Sequence, residues 1–539
     1  MFAQLLTPIG DSLALSFIVA TLPVVTVLIL LGVLRRPAWQ ATLAGLVVGL
    51  VVAIIGWRMP TGLALDSVAN GAVFALWPVM WIVVNALLLY NVAVKSGRFD
   101  AFRAWVFEHL PNDRRIVLVV VGFCFGALLE GVAGFGTPVA ITSSLLILVG
   151  FPALEALIFV LIFNTAPVAF GGLGVPVTVL GEVTGLPAPA LGAMIGRQLP
   201  IMALFLPFYV MMIYGGRRSV RALWPVLLVA GGSFAFSQFF SSNFLDYALT
   251  DVLSSLGSLV FTLLFLQVWK PAPDPEFAIK AETFAEEATS RDVAPWQGWL
   301  PWLIVSGIVI VWTHFGVAHL AEQKIHWPGL DKAISITLYN NKPYTAVWAF
   351  QPLGTGTAIL LSAIISAALF KLSPSAFFGC VGTTLRQIWL AVVTVMFIVG
   401  LAFLMNYSGL AYTLGYGVAS TGKLFVLLSP FLGWVAVMLA GSDTSGNALF
   451  GNLQVVAANQ LNLNPVLFAA TNSSGGVMGK MVSPQNIATG AAVTNLKGHE
   501  GAIFAGTFKH SIFLTFLLSL LVALQQFVIP WVIPVVDKH

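Results

Sequence analysis

The stretch EGVAGFGTP (130–138), followed by FNTAPVAFGGLGVP (163–176), decides how this chain is read. It is apolar enough to sit at membrane depth. Yet it is interrupted by Gly131, Gly134, Gly136, Pro138, Pro167, Gly171, Gly172, Gly174 and Pro176, and it opens on a carboxylate, Glu130. A uniform spanning helix does not carry so many breaks. Backbone groups freed at that depth must be satisfied by protein or by a water-filled cavity. Transporters build binding sites from half-helices of this kind.

The stretch occurs twice. Ala133-Gly134 and Thr137 match Ala440-Gly441 and Thr444; Asn164, Gly171 and Pro176 match Asn472, Gly479 and Pro484. Upstream, Trp77, Ser96 and Gly97 match Trp389, Ser408 and Gly409, and Arg197-Gln198 falls opposite Lys509-His510. The offset drifts slowly between 307 and 312 residues, which points to a duplicated unit.

Composition sets the class. Of 539 residues, 58% are hydrophobic and 9% charged, with a mean hydropathy of +0.95. A soluble domain carries roughly 25% charged residues, so the chain is a polytopic membrane protein. The net charge is only +4, and the basic residues cluster in loops, which is an orientation signal rather than a nucleic-acid surface. Two cysteines, Cys124 and Cys380, allow no disulfide framework and no CxxC metal site. The apolar run near the N-terminus follows no basic segment, so a retained first helix is expected rather than a cleaved signal.

Spans of about 20 apolar residues are expected near 13–34, 39–57, 71–94, 115–131, 152–164, 199–214, 222–240, 251–269, 299–319, 354–371, 386–405, 424–440, from 466 onward, and 510–535. Broken or re-entrant pieces fill 132–149, 165–181, 441–460 and 473–492. The expected fold is all-α and polytopic, with 12 to 14 transmembrane helices and two inverted repeats with broken helices. Residues 1–69 form N-terminal helices, 70–241 the first repeat, 242–381 middle helices and polar loops, and 382–539 the second repeat. Arg35-Arg36, the basic residues of 95–115, and Arg217, Arg218 and Arg221 put those loops in the cytoplasm. The matching segment of the second copy, 407–423, holds only Lys423, while Lys371 and Arg386 precede its span. The second copy is therefore expected to start on the opposite face. Segment 97–110 reads as an interfacial helix, with 374–385 its weaker counterpart. The linker 271–296 and the segment 320–352 read as solvated loops.

The charged residues at membrane depth are few. Glu130, Glu155, Glu182, Arg197, Asp443, Lys480, Lys509 and His510 make up the set. Charge at the bilayer centre costs roughly 2.5–3.5 kcal/mol on insertion scales, so it is kept for a reason. Glu130 and Asp443 stand at the two breaks and are candidates to take up and release a proton; the alternative is a structural carboxylate satisfied by a neighbouring cation or capping a half-helix. Lys480, in GGVMGKMVSP (475–484), is placed either to bind an anionic substrate or to neutralise Asp443. Arg197 offers a planar guanidinium that pairs bidentately with a carboxylate, or else a snorkelling anchor. Asn164, Thr165, Asn472 and Ser473 put amides and hydroxyls at the breaks, where free N–H groups favour an anion. Ser442, Asp443, Thr444 and Asn447 together suggest a wet cavity. Glu155 and Glu182 are expected at segment ends facing water, and His510 as a minor proton relay. No GxxxxGK[ST] loop and no haem, zinc or nucleophile constellation is present, so no cofactor is expected. Energy must come from an ion gradient, or transport is passive.

The segments GFCFGALLEGVAGFGTPVAIT, FNTAPVAFGGLGVP, GRQLP, NYSGL, GSDTSGNALF and GGVMGKMVSPQNIA resemble those of the lactate permease family over nearly the whole chain. The resemblance implies a bacterial inner-membrane carrier of L-lactate, D-lactate and glycolate moving with protons, and not an enzyme. Its motifs contain Glu130, Arg197, Asp443 and Lys480. The implied partners are a small monocarboxylate, a proton and membrane lipid, with no nucleic acid. A sodium-coupled carrier in the same fold and an anion channel stay open as alternatives.

Overall fold

Backbone groups at membrane depth have no water to bond, so apolar runs close their hydrogen bonds internally as helices. The computed structural model describes residues 1–34, 36–132, 137–279 and 293–536. Arg35, Gly134, Gly136 and linker residues 280–292 lie outside these. Among the described residues, nine helices are long and apolar enough to cross a membrane, or ten if the bent pair Ala153–Phe163 and Val168–Thr184 counts as one span. One of the nine, Ala188–Phe244, has 57 residues. At about 1.5 Å per residue it runs to about 85 Å, well over twice a 30 Å hydrocarbon core. It is interrupted at Gly216, whose φ of 62° and ψ of −168° no helix contains. The expected spans 199–214 and 222–240 lie on either side of that break. The apolar helices Pro138–Leu148 and Thr355–Leu369 are shorter than a full span.

The interfacial helix is present as Arg98–Glu108, but it is packed rather than free. Phe102 is fully buried, with its ring 4.8 Å from that of Trp299. Its expected counterpart, 374–385, is not a separate element. It is the first third of one helix, Pro374–Ser408. The linker is not simply solvated either. Asp274 accepts from Arg115 and Arg218, and the Arg115 guanidinium lies 4.3 Å over the Phe277 ring.

Segment 320–352 is a folded cap rather than a loop. Gln323–His326 pairs antiparallel with Val347–Phe350. Ile334–Ile336 pairs with Lys342–Pro343 on one side and, in parallel, with Phe2–Ala3 at the chain's start on the other. Gln4 Nε2 fixes that N-terminal strand by donating to the carbonyls of Asn406 and Tyr407.

The core of the bundle is built on close backbone approach. Helices Phe425–Ala440 and Pro465–Lys480 meet through glycines. A Cβ at Gly433 would stand 2.0 Å from the Asn472 carbonyl oxygen, at Gly475 2.1 Å from that of Pro430, and at Gly479 2.2 Å from that of Trp434. Lipid supplies no hydrophobic drive between helices, so small residues that let backbones touch take its place. This contact sets the position of Lys480.

Candidate functional site

Helix ends converge where the sequence is broken. Gly126–Val132 carries Glu130. Ala153–Phe163 stops at Asn164, and after one 3-10 turn the chain resumes as Gly171–Thr184. Gly172, Leu173 and Gly174 turn left-handed at that restart, with φ of 54°, 58° and 78°. At Gly174 a Cβ would also lie 2.8 Å from the Ala248 Cα. Farther along the chain, Phe425–Ala440 ends at Gly441 with φ of 72°, and Ser442 caps Asp443–Gln460. Pro465–Lys480 ends at Lys480, and Ser483 caps Pro484–Val493. The Asn486 amide donates to the carbonyls of Gly441 and Lys480, so one side chain ties both breaks together.

These ends enclose a cavity of about 60 Å³ lined by Glu130, Gly171, Ser442, Asp443, Thr444 and Lys480, with Gln485 and Asn486 beside them. That is several times the space one water needs. The first N–H groups of the 443–460 helix have no partners within it, and its dipole is positive at that end.

At the centre is an ion pair. Lys480 Nζ donates to Glu130 Oε1 at 2.6 Å, and Asn164 Nδ2 donates to Oε2 at 3.0 Å. Both charged side chains are buried. Gly171 makes room for the carboxylate, since a Cβ there would lie 3.1 Å from Oε1. A buried pair roughly balances its own desolvation, but losing one partner strands the other. The pair joins two residues 350 positions apart in the chain.

Asp443 is held on one side only. Its Oδ2 accepts from Ser473 Oγ at 2.5 Å and Asn447 Nδ2 at 3.2 Å. Its Oδ1 has no partner among the described residues. Behind it runs a buried amide chain. Asn472 donates to Asn447 Oδ1, Gln454 donates to Asn472 Oδ1, and Ser429 donates to Gln454 Oε1. Asn472 and Ser473 therefore sit one layer behind the cavity, inside an unbroken helix. The expected break at 473 falls instead at Met481–Ser483, where Pro484 starts the next helix.

Three expected residues are not brought to the cavity. Arg197 donates from Nε to Asn243 Oδ1 and from Nη1 to the Val532 carbonyl, both at 2.7 Å, so its guanidinium is spent on holding the chain's last turns. It is expected from the sequence to bind substrate, and the structure does not bring it to the cavity lining. His510, expected as a minor proton relay, has its Nδ1 2.6 Å from the Tyr209 hydroxyl, outside the cavity lining. Thr165 donates back to the Ile162 carbonyl of its own helix. Glu155 is exposed, as expected. Glu182 is also exposed, but to an internal vestibule rather than bulk solvent.

That vestibule lies under the cap. It holds about 750 Å³ and is lined by Thr178, Glu182, Lys342, Tyr344, Tyr407 and Asn452, among others. Helix Gly171–Thr184 lines the central cavity with its start and the vestibule with its end.

Sequence reasoning missed one group, Asp251. It stands in the first turn of Thr250–Val268, fully buried, and neither carboxylate oxygen has a partner among the described residues. Its charged neighbours are Glu130 and Lys480. It stands at the very start of an apolar run, where a carboxylate reads as an interfacial cap.

A family profile described as L-lactate permease matches residues 16–529. The L-lactate permease of Salmonella typhimurium is 40% identical over 551 residues, covering 99% of this chain and 100% of that protein. The glycolate permease of Escherichia coli (strain K12) is 39% identical over 560 residues, covering 98% of each. Among solved structures, MtrF of Neisseria gonorrhoeae, described as illuminating a class of antimetabolite efflux pumps, matches with a TM-score of 0.51 at 12% identity, over 93% of this chain and 97% of that one. At such low identity the likeness is one of fold alone.

Proposed function

Because this chain belongs to the L-lactate permease family, we propose that it imports lactate and glycolate, small 2-hydroxymonocarboxylates, across the cell inner membrane together with protons. The observation that carries this reading is the sealed Lys480–Glu130 pair in a cavity bounded by helix ends.

Lys480 is the cation that can meet a substrate carboxylate there, and Glu130 is bonded to it. An arriving anion must displace Glu130. Two carboxylates against one ammonium would leave a buried net negative charge, which is costly. A proton on Glu130 removes that charge. Substrate anion and proton therefore enter together, and the charge of the site is the same empty and loaded.

The remaining groups orient the substrate. The free Oδ1 of Asp443 can accept the 2-hydroxyl, with Ser442, Thr444 and the first N–H groups of the 443–460 helix around it. A site built to bond a hydroxyl rejects analogues lacking it, because its own polar group is left unpaired. The two copies, in inverted orientation, would open this one site alternately to each face. The vestibule under the cap is the outer approach, since the basic loops place the opposite face in the cytoplasm.

Uptake of labelled L-lactate by proteoliposomes, with a pH gradient, a Na⁺ gradient and a potassium-diffusion potential imposed one at a time, tests the reading. Accumulation under an inside-alkaline pH gradient alone is expected. Accumulation that needs Na⁺ would replace the proton, and flux that never exceeds equilibrium under any gradient would make the protein a channel.

A further inference from the structure

Glu130 has a third neighbour that this cycle does not use. Asp251 is buried beside the ion pair with both oxygens unpartnered among the described residues. Gly131, the residue after Glu130, gives it room: a Cβ there would stand 3.2 Å from the Asp251 Cγ and Oδ2. The carboxyl group is therefore pressed against the backbone of the helix that carries Glu130. The 250–268 helix also packs on Leu199–Phe244, Leu118–Phe125, Gly171–Thr184 and Leu300–His314. Of the charged groups on these elements, Glu182 lines the vestibule, Arg218 pairs with Asp274, and Arg217, Arg221 and His314 are exposed. Glu130 and Lys480 are the charges that bear on Asp251, and Lys480 is already bonded to Glu130.

Within the set of Asp251, Glu130 and Lys480, two carboxylates and one ammonium are neutral only when one proton is held among them; Asp443, the third carboxylate near Lys480, is bonded by Ser473 and Asn447 instead. A buried carboxylate with no donor is the costly member of such a set, and a carboxylic acid is not. We propose that Asp251 is the proton-holding station of this transporter, storing a proton beside the ion pair and passing it to Glu130 when the substrate carboxylate takes over Lys480. In that step the O–H bond of Asp251 breaks, its electron pair stays on Asp251, and an O–H bond forms on Glu130. Asp251 then regains a proton from the side the substrate came from. One proton crosses with each anion, and the station is full again at the end of the cycle. This inference rests on reading Lys480 as the anion site.

The test uses the full chain in proteoliposomes, with labelled L-lactate and a pH dye inside. For Asp251→Asn, pH-driven accumulation should fall at least tenfold, and the rate of lactate–lactate exchange should lose its dependence on pH. Asp251→Glu should restore both, with the midpoint of the pH profile displaced. Wild-type accumulation and an unchanged pH profile in Asp251→Asn would overturn the proposal. So would equal losses of exchange and accumulation at every pH in both variants, which would make Asp251 structural. If Asp251→Asn does not fold, the midpoint of Asp251→Glu carries the test, and an unmoved midpoint overturns it. Failure of the wild-type protein to respond to a pH gradient would instead remove the proton reading itself.

Discussion

Lys480 stands at the end of its helix with one partner, and its removal acts in two separable ways. Lys480→Met leaves Glu130 buried without a counter-charge, a loss of about 3–5 kcal/mol in stability. The double variant Glu130→Gln/Lys480→Met should recover most of the Tm yet remain inactive, because the anion has nothing to meet. A double variant that transports would detach the pair from the chemistry. Asp443→Ala should narrow the preference for lactate over propionate at least tenfold in competition assays, with uptake of propionate the less affected. Arg197→Ala serves as the contrast, with substrate affinity unchanged, since its guanidinium bonds Asn243 and Val532. Glu130, Asp443, Lys480, Ser442 and Thr444 were legible because charge and hydroxyls inside apolar runs are conspicuous. Arg197 and Asp251 were not. Which way a side chain at a span's first turn faces is settled by the neighbouring helices, and a single sequence does not carry that.

The breaks themselves are written in glycine, proline and serine; those after Phe163 and at Gly441 were legible at nearly the right residues, and the one expected from 132 lies outside the described residues. The fourth was misplaced because Thr471-Asn472-Ser473-Ser474 looks like a capping cluster. Instead the helix runs through it, since Thr471 Oγ1 donates to the Leu467 carbonyl and Asn472, Ser473 and Gln454 satisfy one another or Asp443. Polar residues that bond sideways do not end a helix. The glycines of 465–480 have a different task, which is contact. Gly479→Ala would drive a methyl into the Trp434 carbonyl, a backbone atom that cannot swing aside. Overpacking of this kind costs about 1–3 kcal/mol. Because Lys480 is the next residue, the Km for lactate should rise along with the fall in Tm, whereas Gly501→Ala, with open space around it, should change neither.

The molecule as a whole is a membrane transport protein of helices with a small folded cap. The helices were legible from hydropathy; the cap was not, because its strands are two to four residues long and pair across distant parts of the chain. The cap's acid response follows from Asp331. The Ala346 N–H, donating at 2.8 Å, holds that carboxyl below the usual range, helped by His326 beside it. Its contribution is complete above about pH 4, the ordinary aspartate value, and is lost as pH falls through the depressed one. Amide exchange of residues 323–350 should therefore be flat from pH 5 to 8 after correction for intrinsic rates, and rise only in stronger acid. The driving force is a property of the whole as well. With the proposed one proton per anion no net charge would move, so a pH unit would supply about 1.4 kcal/mol, while voltage, worth about 2.3 kcal/mol per charge per 100 mV, would supply nothing. Accumulation under an inside-negative potential at zero pH gradient would require a second proton.

The parallel pairing of Phe2 with Ile334 also fixes an order of assembly. The first strand of the cap is made some 330 residues before its partner. At roughly 5–20 residues per second, the N-terminal strand waits on the order of 15 to 65 seconds with its edge open. Among the described residues, six of the nine span-length helices are made in that interval. Closure of the cap is thus a late event in the protein's biosynthesis, and the vestibule beneath it takes shape only after most of the bundle is in place.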